Sequence, residues 1–205
     1  MKSGHWNIEV KPGSLFGDTI VLPKFEVDGL EVDIETRPGG TNVAEVMNHL
    51  KRLSSSGKKE GQRKVVIRSV VVRNVTARVR LLSALGDPSV REVTVPRIEL
   101  KNVGSESSGG ALVSEVTAQL FTAVIASVVV NGKGVLPGDF LKGLNSDVVG
   151  AAGVLGGNAP DLLGQVGGDF AKEFEKAGPP PAENAEKGAE KAIEGLLKEP
   201  KSGKK

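Results

Sequence analysis

Apolar and polar residues alternate at the start of the chain. Trp6, Ile8 and Val10 are separated by Asn7 and Glu9, the period of a half-buried strand. Lys11-Pro12-Gly13 then turns the chain. Ile20 and Leu22 resume the alternation, but Phe25 and Val27 continue it on the opposite parity. Val93 and Val95, followed by Ile98 and Leu100, slip in the same way. Both slips fall at a proline followed by a base, Pro23-Lys24 and Pro96-Arg97. Proline donates nothing to a ladder and belongs at an edge or a bulge. Both segments therefore read as bent strands, with a proline bulge supplying the curvature.

The two stretches are near-copies. Residues 22–30, LPKFEVDGL, match 95–103, VPRIELKNV, and 41–50, TNVAEVMNHL, echo 111–120, ALVSEVTAQL. Val43, Val46, Met47, Leu50 and Leu53 share one helical face, with Thr41 or Asn42 as N-cap. Helices are predicted over 41–53 and 110–130. Each unit reads as strands, a Gly-rich turn and a helix. Between the units, SSSGKKEGQRK (54–64) is a polar linker or hairpin loop. KVVIRSVVVRNVTARVRLL (64–82) follows as the longest strand candidate, with its odd positions the more apolar. A hairpin near Arg73-Asn74 would interrupt it.

Beyond Asn131 the texture changes. Phe140, Leu144 and Val148, then Leu162, Leu163, Val166, Phe170 and Phe174, recur at helical spacings diluted by glycine. AGPPPAEN (177–184) reads as a linker, and a short amphipathic helix with a basic end follows. These shifts divide the chain into a sheet-and-helix domain (1–131), a Gly-rich helical extension (132–177) and a linker with a tail (178–205). The predicted class is α+β. A twisted, curled, mostly antiparallel sheet is built from two strand–strand–helix repeats, with helices packed on it or capping it.

Candidate chemistry is sparse. The 205 residues include no cysteine, so disulfides and thiolate metal sites are excluded. His5 and His49 have no metal-ligand spacing, and no G-x-S-x-G is present. SSSGKK lacks the upstream glycine of a P-loop, and Pro137 breaks the dinucleotide-like GKGVLPG. The carboxylates Glu26, Asp28, Glu31, Asp33 and Glu35 read as a charged solvent face. No enzyme, cofactor or metal is expected. The N-terminus has no apolar h-region. The apolar part of 116–132 would span about 22 Å as a helix, against a bilayer core of about 30 Å. No transmembrane helix is predicted; a buried helix is the first reading of this segment, and docking under a lipid-binding sheet or dipping into a membrane surface is the second.

Net charge is +2, but it is uneven. From Lys51 to Arg91 eleven basic residues face only Glu60 and Asp87. One reading is a polar sheet face; another is attraction of Arg68, Arg73, Arg78 and Arg80 to anionic lipid headgroups. No aromatic residue lies in this region to stack a base, so a nucleic-acid partner is not expected.

The run VKPGSLFGDTIVLPKFEVDGLEVDIETRPGGTNVAEVMNHL, continued through KVVIRSVVVRNVTARVRLLSA and VTVPRIELKNVG, resembles the AsmA-like proteins of diderm bacteria over roughly residues 5–130. The resemblance implies a periplasmic, inner-membrane-associated envelope protein related to TamB-type β-grooves that shelter lipid tails. Family members usually carry an N-terminal membrane helix and an earlier strand block, so a truncated or divergent short form is implied. It implies no catalytic residue. The expected function is non-enzymatic lipid or membrane binding. Phe25, Val27, Val65, Ile67, Val71, Val75, Val79, Ile98 and Leu100 are the candidate acyl-binding face, either as an open groove or as a closed core against the helices. The alternative function is a structural protein that self-assembles through sheet edges and C-terminal helices.

Overall fold

Seven valines and one isoleucine between Lys64 and Leu82 favour extended backbone throughout that segment. A computed structural model describes residues 2–37, 40–55, 63–82, 88–105, 109–152 and 164–166. In chain order the elements are β1 (Lys2–Glu9), a 3-10 turn (Pro12–Phe16), β2 (Thr19–Leu22), β3 (Lys24–Arg37), β4 (Gly40–Thr41), α1 (Asn42–Ser55), β5 (Lys64–Leu82), β6 (Pro88–Val103), β7 (Ala111–Leu112), α2 (Val113–Asn131) and α3 (Gly138–Ala152). β5 is a single strand of 19 residues, so no hairpin interrupts it at Arg73-Asn74.

The seven described strands fill four positions across one open sheet. β1 pairs antiparallel with β3, β3 parallel with β5, and β5 antiparallel with β6. β2 runs ahead of β3 along the same side of β5, and β7 takes the place of β6 beside the start of β5. The sheet is therefore mixed: four of its six described pairings are antiparallel, in line with the expected majority, and the pairings of β2 and β3 with β5 are parallel. Its central pair, β3 with β5, is parallel because α1 carries the chain back between them.

The parity slips recur at the same level on neighbouring strands. Leu22 lies opposite Ile67 and Phe25 opposite Val70, so Pro23 is level with Arg68 and no residue is gained on either strand. Ser69 pairs with Lys101 and Ile67 with Val103, which puts Asn102 on that line too. A second line joins Gly4, Gly29, Asn74 and Pro96. Gly29, Asn74 and Asn102 all have left-handed backbone, with φ of 72°, 53° and 55°. A Cβ on Gly4 would sit 2.9 Å from the Asp28 carbonyl oxygen, so the chains meet tightly there.

Across each line the core-facing position advances by three residues instead of two. On β5 the series is Val65, Ile67, then Val70, Val72, then Val75, Ala77, Val79, all buried. On β6 it is Val103, then Leu100, Ile98, then Val95, Val93. A slip in one strand alone would turn the rest of its side chains to the wrong face. Here neighbouring strands slip together, so pairing resumes in register. The expected proline bulge is thus a transverse line of irregular residues, and the uniform odd-position face expected for β5 does not exist. Val71 in consequence joins the row Asn7–Glu26–Val71–Glu99 on the charged side, buried to 6% exposure.

The helices cover the other side. α1 packs on β3, and α2 packs on β5 and β6. Val43 and Met47 of α1 are buried, whereas Val46 and Leu53 are exposed, so the apolar stripe is narrower than the sequence implied. Thr41 Oγ1 caps α1 by accepting the Ala44 N–H at 3.2 Å. The Asn42 amide behaves as a strand residue: its Oδ1 accepts the Glu35 N–H and its Nδ2 donates to the Asp33 carbonyl, each at 2.9 Å. The Glu115 carboxylate accepts the Leu112 N–H at 2.9 Å at the start of α2. α2 is long and apolar enough by composition to cross a bilayer, and its 19 residues rise about 28 Å, more than the sequence estimate. In this fold it is the central core helix, with Ile125 and Val128 at 0% exposure. α3 buries Leu144 and Val148 against α1 and α2, so the core continues past Asn131. The expected helical positions Leu162, Leu163, Phe170 and Phe174, and the linker and tail of 178–205, lie outside the described residues.

Two outcomes test this account. Gly29→Val and Asn74→Val are each expected to cost about 2 kcal/mol in denaturant melts, because left-handed backbone crowds Cβ; Asn74→Gly is expected to stay within about 0.5 kcal/mol. Asp147 accepts a hydrogen bond from Thr41 Oγ1 at 3.0 Å. Burial nonetheless pushes its carboxyl above the ordinary range, with the Thr41 bond acting in the opposite sense. The folded chain therefore holds this proton more tightly, and stability falls as pH rises from the unfolded carboxyl range through the folded one. Asp147→Asn is expected to raise the melting temperature at neutral pH, with the gain shrinking to nothing in acid.

Candidate functional site

Register builds the candidate site. Trp6, Val27, Val72 and Ile98 form one row across the sheet, and Ile8, Phe25, Val70 and Leu100 form the next. Cover falls off along each row toward β1. Val72 and Val27 are 5% and 4% exposed, but Trp6 is 58% exposed; Val70 is sealed, but Ile8 is 49% exposed. α2 lies over β5 and β6 and leaves the β1 end of both rows open.

The result is an apolar cleft of about 270 Å³ between β1, β3 and α2. It is lined by Trp6, Phe25, Val27, Leu30 and Val72 from the sheet, and by Thr117, Leu120, Phe121 and Val124 from α2. The Trp6 and Phe25 rings meet edge to face at 5.5 Å and form one wall. Thr117 is the one polar side chain in the lining, and its hydroxyl already donates to the Val113 carbonyl at 2.8 Å. Such a surface can hold an apolar group by burial, and offers nothing to orient a polar one.

The sequence-predicted acyl-binding face divides three ways. Phe25 and Val27 line the cleft. Val65, Ile67, Val75, Val79, Ile98 and Leu100 are buried in the core on the helix side, so for these six the closed-core alternative describes the fold. Val71 lies on the opposite side. Trp6, Leu30, Val72 and the four α2 residues were not anticipated. Trp6 was legible as a strand residue, but only the register with β3 places it beside Phe25.

Three arginines of the basic stretch are paired with carboxylates. Arg73 pairs with Glu26 at 3.2 Å, Arg78 with Glu31 and Glu92 at 3.1 Å each, and Arg80 with Glu35 at 2.8 Å. The headgroup role expected of Arg73, Arg78 and Arg80 therefore meets carboxylates already in place. Glu92 and Glu31 hold the Arg78 guanidinium above its ordinary pKa. A hydrogen bond from Lys24 holds the Glu26 carboxyl below its own, helped by Asn7 and Arg73 against desolvation. Arg68, on the first irregular line, is exposed. The expected solvent face of Glu26, Asp28, Glu31, Asp33 and Glu35 is thus the partner surface of the basic strand; Asp28 also accepts a bond from Asn74 Nδ2 at 2.8 Å.

His5 and His49 are both exposed, one on β1 and the other on α1. Among the described residues no three His, Cys, Asp or Glu side chains converge as a metal site requires. Comparison of the chain with family models, with curated proteins and with solved structures gives no match.

The charged side of the sheet should contribute little stability despite its order, since exposed ion pairs are individually weak. Arg78→Ala, which releases two glutamates, is expected to leave the denaturation midpoint nearly unchanged, with any loss shrinking further at high salt.

Proposed function

We propose that this chain is a non-enzymatic lipid- or membrane-binding module of the bacterial cell envelope, and that the cleft at β1 takes one acyl chain. The observation that carries the reading is a wall of eight apolar side chains and one spent hydroxyl, open to solvent beside an exposed tryptophan. Ligand pockets run from about 300 to 1,000 Å³, so a cleft of about 270 Å³ suits part of one chain rather than two tails. Burial of apolar surface, at roughly 25 cal/mol per Å², supplies the affinity, and the headgroup stays in water.

The residue pattern that resembles AsmA-like proteins supports the same reading, with a periplasmic, membrane-associated setting. In that reading the sheet is twisted and curled, and its strand–strand–helix repeats, with the Gly-rich helical extension after them, are a short form of a longer lipid-sheltering groove.

Trp6 is the chain's one tryptophan, so emission reports the cleft without labelling. A single-chain amphiphile is expected to shift Trp6 emission to the blue and saturate near one per chain. Thr117→Phe, which fills the cleft from α2, is expected to weaken this by about tenfold or more, a loss of about 1.4 kcal/mol. Lipid extracted from protein purified without detergent should reach one acyl chain per polypeptide. An unchanged emission spectrum up to the solubility limit, together with a lipid-free extract, would sink the proposal.

A further inference from the structure

The two outer edges of the sheet are built differently. β6 carries Pro88 and Pro96 and exposes Arg91, Arg97 and Lys101. Proline and basic side chains are what natural edge strands use to turn away a further strand. Gln165 Oε1 also accepts the Lys101 N–H at 2.7 Å, so part of that edge is occupied. β1 has no proline, and its one lysine, Lys2, stands at its first position. Among the described residues, no strand pairs with its outer side. Its eight residues are all exposed, including Trp6 and Ile8 at the open ends of the apolar rows. One edge is defended and the other is a template for a further strand.

We propose that β1 pairs with β1 of a second copy of this chain, antiparallel about a twofold axis at Asn7. An axis perpendicular to the sheet keeps the core-facing residues of both copies on one side, so residues placed opposite must share parity. Centred on Asn7, Trp6 meets Ile8 of the second copy and Ile8 meets its Trp6. The open ends of the apolar rows then cover each other. His5 meets Glu9 of the second copy on the charged side, twice, setting an imidazole against a carboxylate. The neighbouring registers are poorer. Centred on Trp6, Ile8 would face Gly4; centred on His5, Trp6 would face Gly4 and Ile8 would face Lys2. Centred on Ile8, Trp6 would face Val10 beyond the strand and His5 would face Lys11; only the Asn7 register pairs Trp6 and Ile8 with each other and sets His5 against Glu9. This interface stands on the edge and its register, and does not rest on the lipid reading.

The absence of cysteine makes the test clean. In Asn7→Cys the two thiols face each other across the axis with Cβ atoms about 5 Å apart, within reach of a disulfide after a small adjustment. Mild oxidation of folded Asn7→Cys is expected to give a covalent dimer, while Arg97→Cys on the β6 edge stays monomeric. Sedimentation equilibrium of the unaltered chain should give twice 21.3 kDa. Ile8→Glu should weaken the dimer by about tenfold or more. Thr117→Phe should leave it intact, which separates this interface from the cleft. A monomer at every concentration, or equal cross-linking at positions 7 and 97, overturns the proposal. So does cross-linking at 97 alone, which would move the interface to β6.

Discussion

The constraint on which the rest of this structure depends is that β3, β5 and β6 slip parity together. A valine-rich strand of 19 residues is far longer than the usual five or six. Here it is cut into short blocks by two lines of proline, glycine and left-handed asparagine. Each line would be a fault if one strand had it alone. Because the lines cross neighbouring strands, every block keeps a row of apolar residues toward the helices and its charges away from them, with Val66 and Val71 the two valines of β5 left on the charged side.

This also accounts for the duplicated nonapeptides. In LPKFEVDGL the proline and the left-handed Gly29 are six positions apart; in VPRIELKNV the proline and the left-handed Asn102 are also six apart. The two strands flank β5 in opposite directions. Pro23 therefore falls level with Asn102, and Gly29 level with Pro96, with Arg68 and Asn74 between them on β5. The same short sequence, written twice and laid antiparallel on either side of one strand, generates both lines. Asn74 is the one residue on β5 that completes the pattern by left-handed backbone, held by its bond to Asp28.

Parity and helical period were readable along the chain, and they located α1, α2 and the slips at Pro23 and Pro96. What they could not supply was which strand lies beside which. The slip on β5 carries no proline to announce it: Val70, Val71 and Val72 run without a polar break, so strict alternation put Val71 on the wrong side. The parallel pairing of β3 with β5 was hidden for the same reason. That pairing sets the carboxylates of residues 26–35 against the basic strand, so Arg73, Arg78 and Arg80, which count as excess charge along the sequence, stand beside glutamates in space. Trp6 and Phe121 are 115 positions apart and share a wall only because β1 returns along β3 while α2 crosses from β7.

The cleft follows from the dimensions of the parts. β5 extends about 60 Å at 3.3 Å per residue, whereas α2 rises only about 28 Å. Among the described residues, α1, α2 and α3, of 14, 19 and 15 residues, do not cover every apolar row of a sheet this long and four strand positions wide. The centre is covered first, because Val70, Val75 and Val79 on β5 have strands on both sides and no other way out of water. The shortfall is displaced to an edge. On the β6 side the helix side stays closed, with Val93, Val95, Ile98 and Leu100 at 3% exposure or less. On the β1 side the rows end in Trp6 and Ile8, the largest apolar groups on the edge, with nothing from α2 above them. Trp6 recovers part of its burial against Phe25, and the rest of the row stays in contact with solvent. Among the described residues, the apolar opening is thus what remains where α1, α2 and α3 stop short of the edge of a long, evenly greasy sheet, and the single tryptophan stands at its mouth.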